Sequence, residues 1–269
     1  ILFLQKAKRK IRELSYNFDT DGYVAPDLTI LNDIVTKSGI NEMAYQQEPD
    51  SILWCVRDDG ILAGLTYQRS EAVIAWHRHK LGGTFGTGST ATGYGVVESV
   101  ASISGQLTED DFYVIVKRTI NGATKRYVEV FAPFDFDETT STDFRFLDSH
   151  LTYSGGSTTT LSGLSHLEGQ VVSILADGAT HADKTVSSGS ITLDRSVTSA
   201  VVGLKYDSVL QTMRVEGGAA QGTSQGKIKR ISKVVLRLFE TVGAKVGPTL
   251  TDLETVPFRT TSSPMGQPV

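Results

Sequence analysis

Two histidines, His77 and His79, form the most metal-like pattern in the sequence. In a β-strand, residues two positions apart point to the same face of the sheet, so the two imidazoles can reach one ion. A catalytic metal site needs a third ligand, and the other three of the five histidines lie in a different predicted domain. The sequence therefore predicts a strand end that holds no functional metal, and it predicts no cofactor.

Three further patterns begin like chemical motifs without completing them. Residues 19–22, Asp-Thr-Asp-Gly, open like a calcium-binding loop, but the closing glutamate is missing. The glycines of residues 83–88 lack the Gly-Lys-Ser/Thr of a phosphate-binding loop, so we interpret residues 82–95 as a flexible loop. Cys55 lies in the middle of an apolar run, which predicts burial rather than nucleophilic reactivity. The sequence predicts no catalytic residue and no enzyme.

Basic residues flank an Asn-Gly turn at residues 121–122. If that turn contains two residues, it places Arg118 opposite Lys125 and Lys117 opposite Arg126. Like charges directly opposite one another destabilise an exposed sheet. We therefore predict that Arg118, Lys125 and Arg126 form a candidate interface, lying against acidic groups of a neighbouring element or subunit. An ordinary solvated face and a nearby polyanion are the alternatives.

The elements that carry these residues are short apolar or alternating runs bounded by turn signals. Asp-Gly at residues 59–60 and Asn-Gly at 121–122 each join two such runs, which is typical of antiparallel hairpins. Several hairpins in succession predict an all-β meander, propeller-like or sandwich, over residues 1–145. One helix is expected, with Asp27 as its N-cap and residues 28–35 as its body.

A change of composition predicts a second module. Thirteen of the 27 residues from 139 to 165 are Ser or Thr, which is typical of loops between short strands. The strand-like runs that follow predict a small β-barrel or sandwich over residues 146–217. Residues 218–269 are expected to hold a return strand at 227–240, where a helix is the alternative, and an extended proline-rich C-terminal tail.

Composition excludes several classes of protein. The 269 residues carry 26 Lys and Arg against 30 Asp and Glu, a formal charge of −4, which argues against a dedicated nucleic-acid binder. No apolar run approaches the roughly 20 residues of a transmembrane helix. One cysteine excludes internal disulfides and Cys-rich zinc sites. The chain begins with Ile rather than Met, and we expect it to be part of a longer protein.

Several strings occurring in order over roughly residues 1–240 carry a resemblance. Together they are similar to the tail tubular protein B, or nozzle, family of short-tailed bacteriophages. The strings are Asp-Gly-Tyr-Val-Ala-Pro-Asp-Leu-Thr at 21–29, Glu-Met-Ala-Tyr-Gln-Gln-Glu-Pro at 42–49, Leu-Trp-Cys-Val-Arg-Asp-Asp-Gly at 53–60, Leu-Thr-Tyr at 65–67, Trp-His-Arg-His at 76–79, Arg-Thr-Ile-Asn-Gly at 118–122, Lys-Arg-Tyr-Val-Glu at 125–129, Leu-Thr-Tyr at 151–153, Leu-Ser-His-Leu-Glu-Gly at 164–169 and Val-Val-Gly-Leu-Lys-Tyr at 201–206.

The resemblance implies a structural virion protein in the phage tail, of which this chain is a C-terminal portion. It implies a homohexameric ring below the portal, stacked on the tail adaptor ring and contacting tail fibres or spikes. Double-stranded DNA would pass transiently through such a ring during ejection and host cell entry. None of the matching strings is catalytic.

Two other classes of function compete with this one. A carbohydrate- or receptor-binding β module of a phage tail would use Trp76 and exposed tyrosines as stacking platforms for sugars. A glycan-degrading tail enzyme would need two carboxylates about 5–9.5 Å apart, and the sequence does not exclude that Asp and Glu of different hairpins come that close.

Overall fold

The computed structural model describes residues 1–105, 109–133, 144–214, 216, 222–238, 241 and 243–257. The fold is all-β with antiparallel sheets, as the sequence predicts. In chain order the described strands are β1 (Leu2–Leu4), β2 (Ile11–Glu13), β3 (Ser15–Asn17), β4 (Gly22–Val24), β5 (Ile40–Gln46), β6 (Ile52–Arg57), β7 (Leu62–Gln68), β8 (Val73–His79), β9 (Val96–Ile103), β10 (Asp111–Ile120), β11 (Ala123–Val130), β12 (Asp148–Ser162), β13 (Val171–Ala176), β14 (Ala179–Thr185), β15 (Ser190–Leu204), β16 (Lys245–Thr249) and β17 (Asp252–Thr255). Short 3₁₀ turns lie at Gly88–Thr90 and Ser165–Leu167.

The first half of the chain is a succession of hairpins. Strands β5, β6, β7 and β8 form a four-stranded sheet in that order, and β9, β10 and β11 form a three-stranded sheet in the order β11-β10-β9. The predicted turns are present because Gly60 (φ 78°), Asn121 (φ 49°) and Gly122 (φ 73°) adopt the left-handed conformation that tight hairpins require.

The four-stranded sheet is buried on both faces, which explains the nearly continuous apolar run of β6. Trp54 and Val56 pack with Phe112 and Val114 of β10, forming a core between the two sheets. The alternate residues Leu53 and Cys55 enter a second core on the opposite face, with Ile11, Leu28, Val35, Ile40, Ala63 and Leu65. Period-2 alternation thus distributes one strand between two cores.

A second four-stranded sheet follows, in the order β12-β15-β13-β14, with a core of its own that includes Leu164, Leu167 and Val172. Within the described residues this sheet does not close into a barrel, so of the two predicted forms the barrel is not found. The predicted boundaries at 145/146 and 217/218 stay predictions.

The prediction that the Ser/Thr-rich stretch forms loops is wrong for the residues that the structure describes. It contains β12, a strand of 15 residues. Threonine is β-branched and favours strands. Register shifts on either side of residue 158 let this strand follow β15 over a long distance.

The predicted helix at residues 28–35 is wrong. Asp27 does make the expected cap-like contact, accepting the Thr29 N–H at 2.9 Å. The chain then forms consecutive turns, in which the Asn32 N–H is donated to Thr29 and the Val35 N–H to Asn32. The Leu28 carbonyl would accept the Asn32 N–H in a helix that begins at residue 28, but here it accepts the Trp76 indole N–H at 3.0 Å. The Leu28 N–H is donated to Ile11, and several of the residues that follow have weak helix propensity.

The chain divides into two compact units, Ile1–Tyr206 and Asp207–Val269. In the second unit the described strands are β16 and β17, which form a hairpin that the sequence reasoning missed. The return strand predicted at 227–240 is wrong where described, since residues 227–238 have no regular secondary structure. Residues 239 and 240, and the tail from 258 onward, lie outside the described residues.

Among the described helices, none has the length and apolar character needed to cross a membrane.

Candidate interface on the charged hairpin

The hairpin of β10 and β11 has the predicted register. Arg118 lies opposite Lys125, and Lys117 lies opposite Arg126. Because side chains alternate along β10, the two pairs lie on opposite faces of the sheet. Arg118 is on the inner face with the buried core residues Val114 and Val116, and Lys117 is on the outer face.

The guanidinium of Arg118 is fully buried, which is rare for a charged side chain and requires partners. It donates from both terminal nitrogens to the Glu129 carboxylate, at 2.5 Å and 3.1 Å. Its Nε donates to the Gly82 carbonyl at 2.7 Å. The acidic neighbour expected for Arg118 is therefore Glu129 of the same hairpin.

Glycines make the room for this side chain. A Cβ at Gly83 would lie 2.9 Å from Arg118 Cδ, and a Cβ at Gly95 would lie 2.9 Å from Arg118 Nε. Gly83 also has a φ of 95°, which other residues rarely adopt. The glycine-rich stretch interpreted as a flexible loop thus has a structural role, since it lets backbone approach a buried arginine.

A second carboxylate, Asp148 at the start of β12, lies close to this cluster. Its Oδ2 accepts the Gly82 N–H at 2.6 Å. Burial raises the pKa of Asp148 to about 6, against the lowering effects of the Gly82 amide and Arg118. Gly82 therefore bonds both Asp148 and Arg118. Through these two contacts it links β12 of the second four-stranded sheet to β10 of the three-stranded sheet.

On the outer face, Glu98 neutralises the other like-charged pair. Its carboxylate lies 2.7 Å from Lys117 Nζ and 2.6 Å from Arg126 Nε. Hydrogen bonds from Arg126 and Lys117 lower the pKa of Glu98. The β9–β10 register shifts between Ile115 and Val116, so that an extra residue of β9 lies opposite β10 beside the two cations.

Lys125 is the exception among the candidate interface residues. Its side chain is exposed, and it has no ion-pair or hydrogen-bond partner among the described residues. Arg118 and Arg126 thus have acidic neighbours within this chain, Glu129 and Glu98, whereas the Lys125 side chain is solvated. The proposed interface role of the three residues stays a prediction.

The outer face continues into an apolar surface. Val128 and Val130 of β11 are 71% and 52% exposed, and Ile103 of β9 is 56% exposed. The register brings Val130, Tyr113 and Ala101 into one row across the sheet. Strand β11 is also the edge of its sheet in the described structure, so its outer backbone groups are unpaired. We call Ala101, Ile103, Tyr113, Ile115, Val128 and Val130 the outer apolar face.

The predicted histidine pair is brought together. His77 Nδ1 and His79 Nε2 are 2.7 Å apart, and both rings pack on Trp54. Burial, with repulsion from His77, lowers the pKa of His79 to about 4, and burial also lowers the pKa of His77. No cluster of three or more His, Cys, Asp or Glu that could hold a metal is found among the described residues.

The other candidate residues are engaged in packing or in hydrogen bonds within the fold. Burial raises the pKa of Cys55 to about 12, so its thiol stays protonated. Trp76, a predicted sugar platform, instead packs against a core and donates its indole N–H to Leu28. A groove of about 330 Å³ is lined by polar groups, but its Asp110 carboxylate accepts the Gln47 and Glu48 backbone N–H groups, at 2.8 Å and 3.1 Å.

Sequence reasoning missed Glu98, Glu129 and Asp148. Glu129 was detectable in principle, because the register places it on the same face as Arg118. Asp148 could not be found from the sequence pattern, because its partner Gly82 is 66 residues away and the two meet only in the folded chain.

Comparison with known proteins gives no further assignment. No family model matches the sequence, and no curated protein matches it.

Proposed function

We propose that this protein is a structural subunit of a bacteriophage tail, within the nozzle ring that its sequence resembles. The observation that carries the proposal is the outer apolar face beside the edge of β11, which no described strand covers. Val128 is 71% exposed on a sheet whose inner face is a packed core. A contiguous exposed apolar surface next to an open sheet edge is typical of an association site.

The charges of the hairpin suit the same role. Glu98 neutralises Lys117 and Arg126 on the outer face, while Lys125, opposite Arg118 on the other side of the hairpin, has its charge available for an acidic group on a neighbouring subunit. In a ring this contact is heterologous, with the face of one subunit meeting a different surface of the next. The proposal includes no catalytic role.

Passage of DNA is compatible with the composition. Each phosphate that a protein neutralises strengthens binding in a salt-dependent way, and tight binding retards passage through a conduit. A formal charge of −4 with local basic clusters keeps such contacts few. In this proposal the protein is in the virion tail, with the tail adaptor ring and fibres or spikes as its other partners.

Assembly tests the proposal. Multi-angle light scattering and negative-stain electron microscopy should show closed rings of this chain at micromolar concentration. Val128→Asp should shift the population to folded monomers, because a carboxylate in an apolar interface is costly. Val171→Asp is the matched control, since Val171 is 60% exposed on the second sheet. Monomers at all concentrations, or equal effects of the two variants, would contradict the proposal.

A carbohydrate-binding role is the second candidate, and a different surface favours it. Tyr16, Phe18 and Tyr23 cluster on the β3–β4 hairpin with ring centroids 5.1 Å and 5.6 Å apart, and Phe18 and Tyr23 are 88% and 76% exposed. Exposed aromatic rings stack on the apolar faces of sugars. Glycan-array binding that Tyr23→Ala abolishes, with Tyr45→Ala as a control, would support this role.

A further inference from the structure

Residues 227–238 form a strongly basic segment, Lys-Ile-Lys-Arg-Ile-Ser-Lys-Val-Val-Leu-Arg-Leu. We call it the basic arm. It contains five Lys or Arg residues and no Asp or Glu, within a chain whose formal charge is −4. The remaining residues of the arm, apart from one serine, are Ile, Val or Leu. Such a composition combines two driving forces, charge and apolar surface, in twelve residues.

The structure leaves both the charged and the apolar side chains of the basic arm exposed. The arm lies in the second compact unit and has no helix or strand. Its apolar side chains face solvent, with Ile228 103%, Val235 75% and Ile231 63% exposed. Apolar residues clustered and exposed to this degree mark a surface that is covered by a partner.

The spacing of the apolar residues is helical. At about 100° per residue, five of them share an arc of about 120°, the width of the apolar stripe on an amphipathic helix. These five are Ile228, Ile231, Val234, Val235 and Leu238. Four cations, Lys229, Arg230, Lys233 and Arg237, share a separate arc. A segment of about 12 residues is too short to hold a helix alone in water, which agrees with its irregular conformation here.

We propose that the basic arm docks on an anionic lipid bilayer and becomes a helix lying in the plane of the membrane surface. In this arrangement the apolar arc enters the boundary between headgroups and acyl chains, and the basic arc contacts the anionic headgroups. Both halves of the pattern are then used. The inference does not depend on the proposed role in a tail ring.

Two other partners fit the arm less well. Nucleic acid would contact the cations but leave five apolar side chains in water. An acidic protein groove would bury the apolar arc, but lysine is depleted in protein interfaces, and three of the five cations are lysines. An anionic bilayer accepts lysine and apolar side chains together.

Vesicle binding by the full chain tests the proposal. Vesicles of phosphatidylcholine with about 30 mol% phosphatidylglycerol should carry the protein upward in a flotation gradient, whereas pure phosphatidylcholine vesicles should not. Binding should weaken as salt is raised, because the attraction to anionic headgroups is screened. Far-ultraviolet circular dichroism should show a gain of helix on binding, which is measurable because the part of the chain that the structure describes is only 3% helical.

Two neighbouring substitutions provide the matched comparison. Val235→Ser removes a residue of the apolar arc and should lower the vesicle partition coefficient about tenfold. Leu236→Ser removes an adjacent exposed residue outside that arc and should leave partitioning within about twofold. Both side chains are exposed, at 75% and 44%, so neither change should alter folding. Lys233→Glu with Arg237→Glu should abolish binding to the anionic vesicles.

Several outcomes would overturn the proposal. These are equal binding to both vesicle types, equal effects of Val235→Ser and Leu236→Ser, and binding without a gain of helix. Absence of flotation combined with self-association that Val235→Ser weakens would assign the arm to a second copy of the chain instead.

Discussion

Arg118 and Glu129 form a bidentate ion pair on the inner face of one hairpin, with Nη1–Oε1 and Nη2–Oε2 distances of 2.5 Å and 3.1 Å. The arginine is fully buried, and the glutamate side chain is 18% exposed. Removing water from two charges is costly. The cost is offset because the two charges hydrogen-bond each other and the Gly82 carbonyl accepts the Arg118 Nε–H. The pair fixes the geometry of the surrounding glycine-rich segment.

Breaking this pair from either side should be strongly destabilising. Glu129→Gln leaves a buried guanidinium without its counter-charge, and Arg118→Met leaves a partly buried carboxylate, so we expect each to lower the free energy of unfolding by about 3 kcal/mol. Urea unfolding measures both. The double variant Arg118→Met with Glu129→Leu should recover much of the loss, because an apolar pair carries no desolvation cost. Strictly additive losses would contradict this account.

Asp148 should make stability fall as pH rises. Its pKa is about 6 in the folded chain, above the ordinary value of 3.8, so the folded state holds the proton more tightly. The contribution is fully present below about pH 4 and is lost as pH rises to about 6, with a total of order 2–3 kcal/mol. The charged groups facing Asp148 are Arg118 and Glu129, and the neutral Tyr206 hydroxyl also lies near it.

Asp148→Asn isolates this effect, because asparagine keeps an oxygen for the Gly82 N–H without titrating. Thermal or urea unfolding across pH 4 to about 7 should show the variant gaining stability relative to wild type as pH rises. Parallel pH profiles of the two proteins would sink the assignment.

Gly64 should tolerate no side chain. It lies opposite His77 across β7 and β8, and a Cβ at Gly64 would overlap the His77 imidazole ring. Gly64→Ala should therefore displace the ring from Trp54 and lower the free energy of unfolding by about 1–3 kcal/mol. Gly156→Ala is the control, because nothing lies within 4 Å of a Cβ there and Gly156 is also in a strand. Equal effects would show that backbone entropy, rather than the ring contact, decides the result.

The histidine pair should titrate in the opposite direction to Asp148. The pKa of His79 is about 4 in the folded chain, below the ordinary 6.5, so protonation favours the unfolded state. Stability from this group is present above about pH 6.5 and lost as pH falls towards about 4. Replacing His79 with Gln should flatten that part of the profile, measured in an Asp148→Asn background. Elemental analysis should find no stoichiometric transition metal, and one tightly held metal per chain would overturn that expectation.

What the sequence predicted correctly was local. The Asn-Gly turn determines the register of β10 and β11 because two left-handed residues leave no freedom in the loop, and so the opposition of Arg118 and Lys125 followed. Hairpins joined by such turns also made the all-β class predictable. These inferences use neighbours within a few residues.

What failed depended on distant contacts. Leu28 has a helical neighbourhood in sequence, yet its backbone bonds Ile11 and the Trp76 indole, and these partners outweigh weak propensity. The burial of Arg118 likewise depends on Gly82, which the sequence pattern suggests is a loop. Sequence pattern and propensity contain no information about which remote groups supply hydrogen bonds. These remote groups determine the environment of the buried arginine.

Substitutions at Lys125 and Arg126 should affect the stability of the isolated subunit and the assembly of the ring differently. In the isolated subunit, Arg126→Ser removes an exposed, solvent-screened ion pair with Glu98 and should lower the free energy of unfolding only slightly. Lys125→Ser removes a cation directly opposite Arg118 and should leave stability unchanged or raise it by a few tenths of a kcal/mol. Differential scanning calorimetry at low protein concentration distinguishes these outcomes.

For ring assembly we expect the opposite ranking, with Lys125→Ser having the larger effect. Lys125 is exposed without a partner among the described residues, and in our proposal it meets an acidic group of another subunit, whereas Arg126 already has Glu98. Lys125→Ser should therefore weaken ring formation more than Arg126→Ser, and the double variant should assemble worst while each subunit stays folded. Lys125→Arg, which keeps the charge, should assemble like wild type. If the double variant forms rings normally at physiological salt, these cations belong to an ordinary solvated face, and the interface must be sought on the outer apolar face alone.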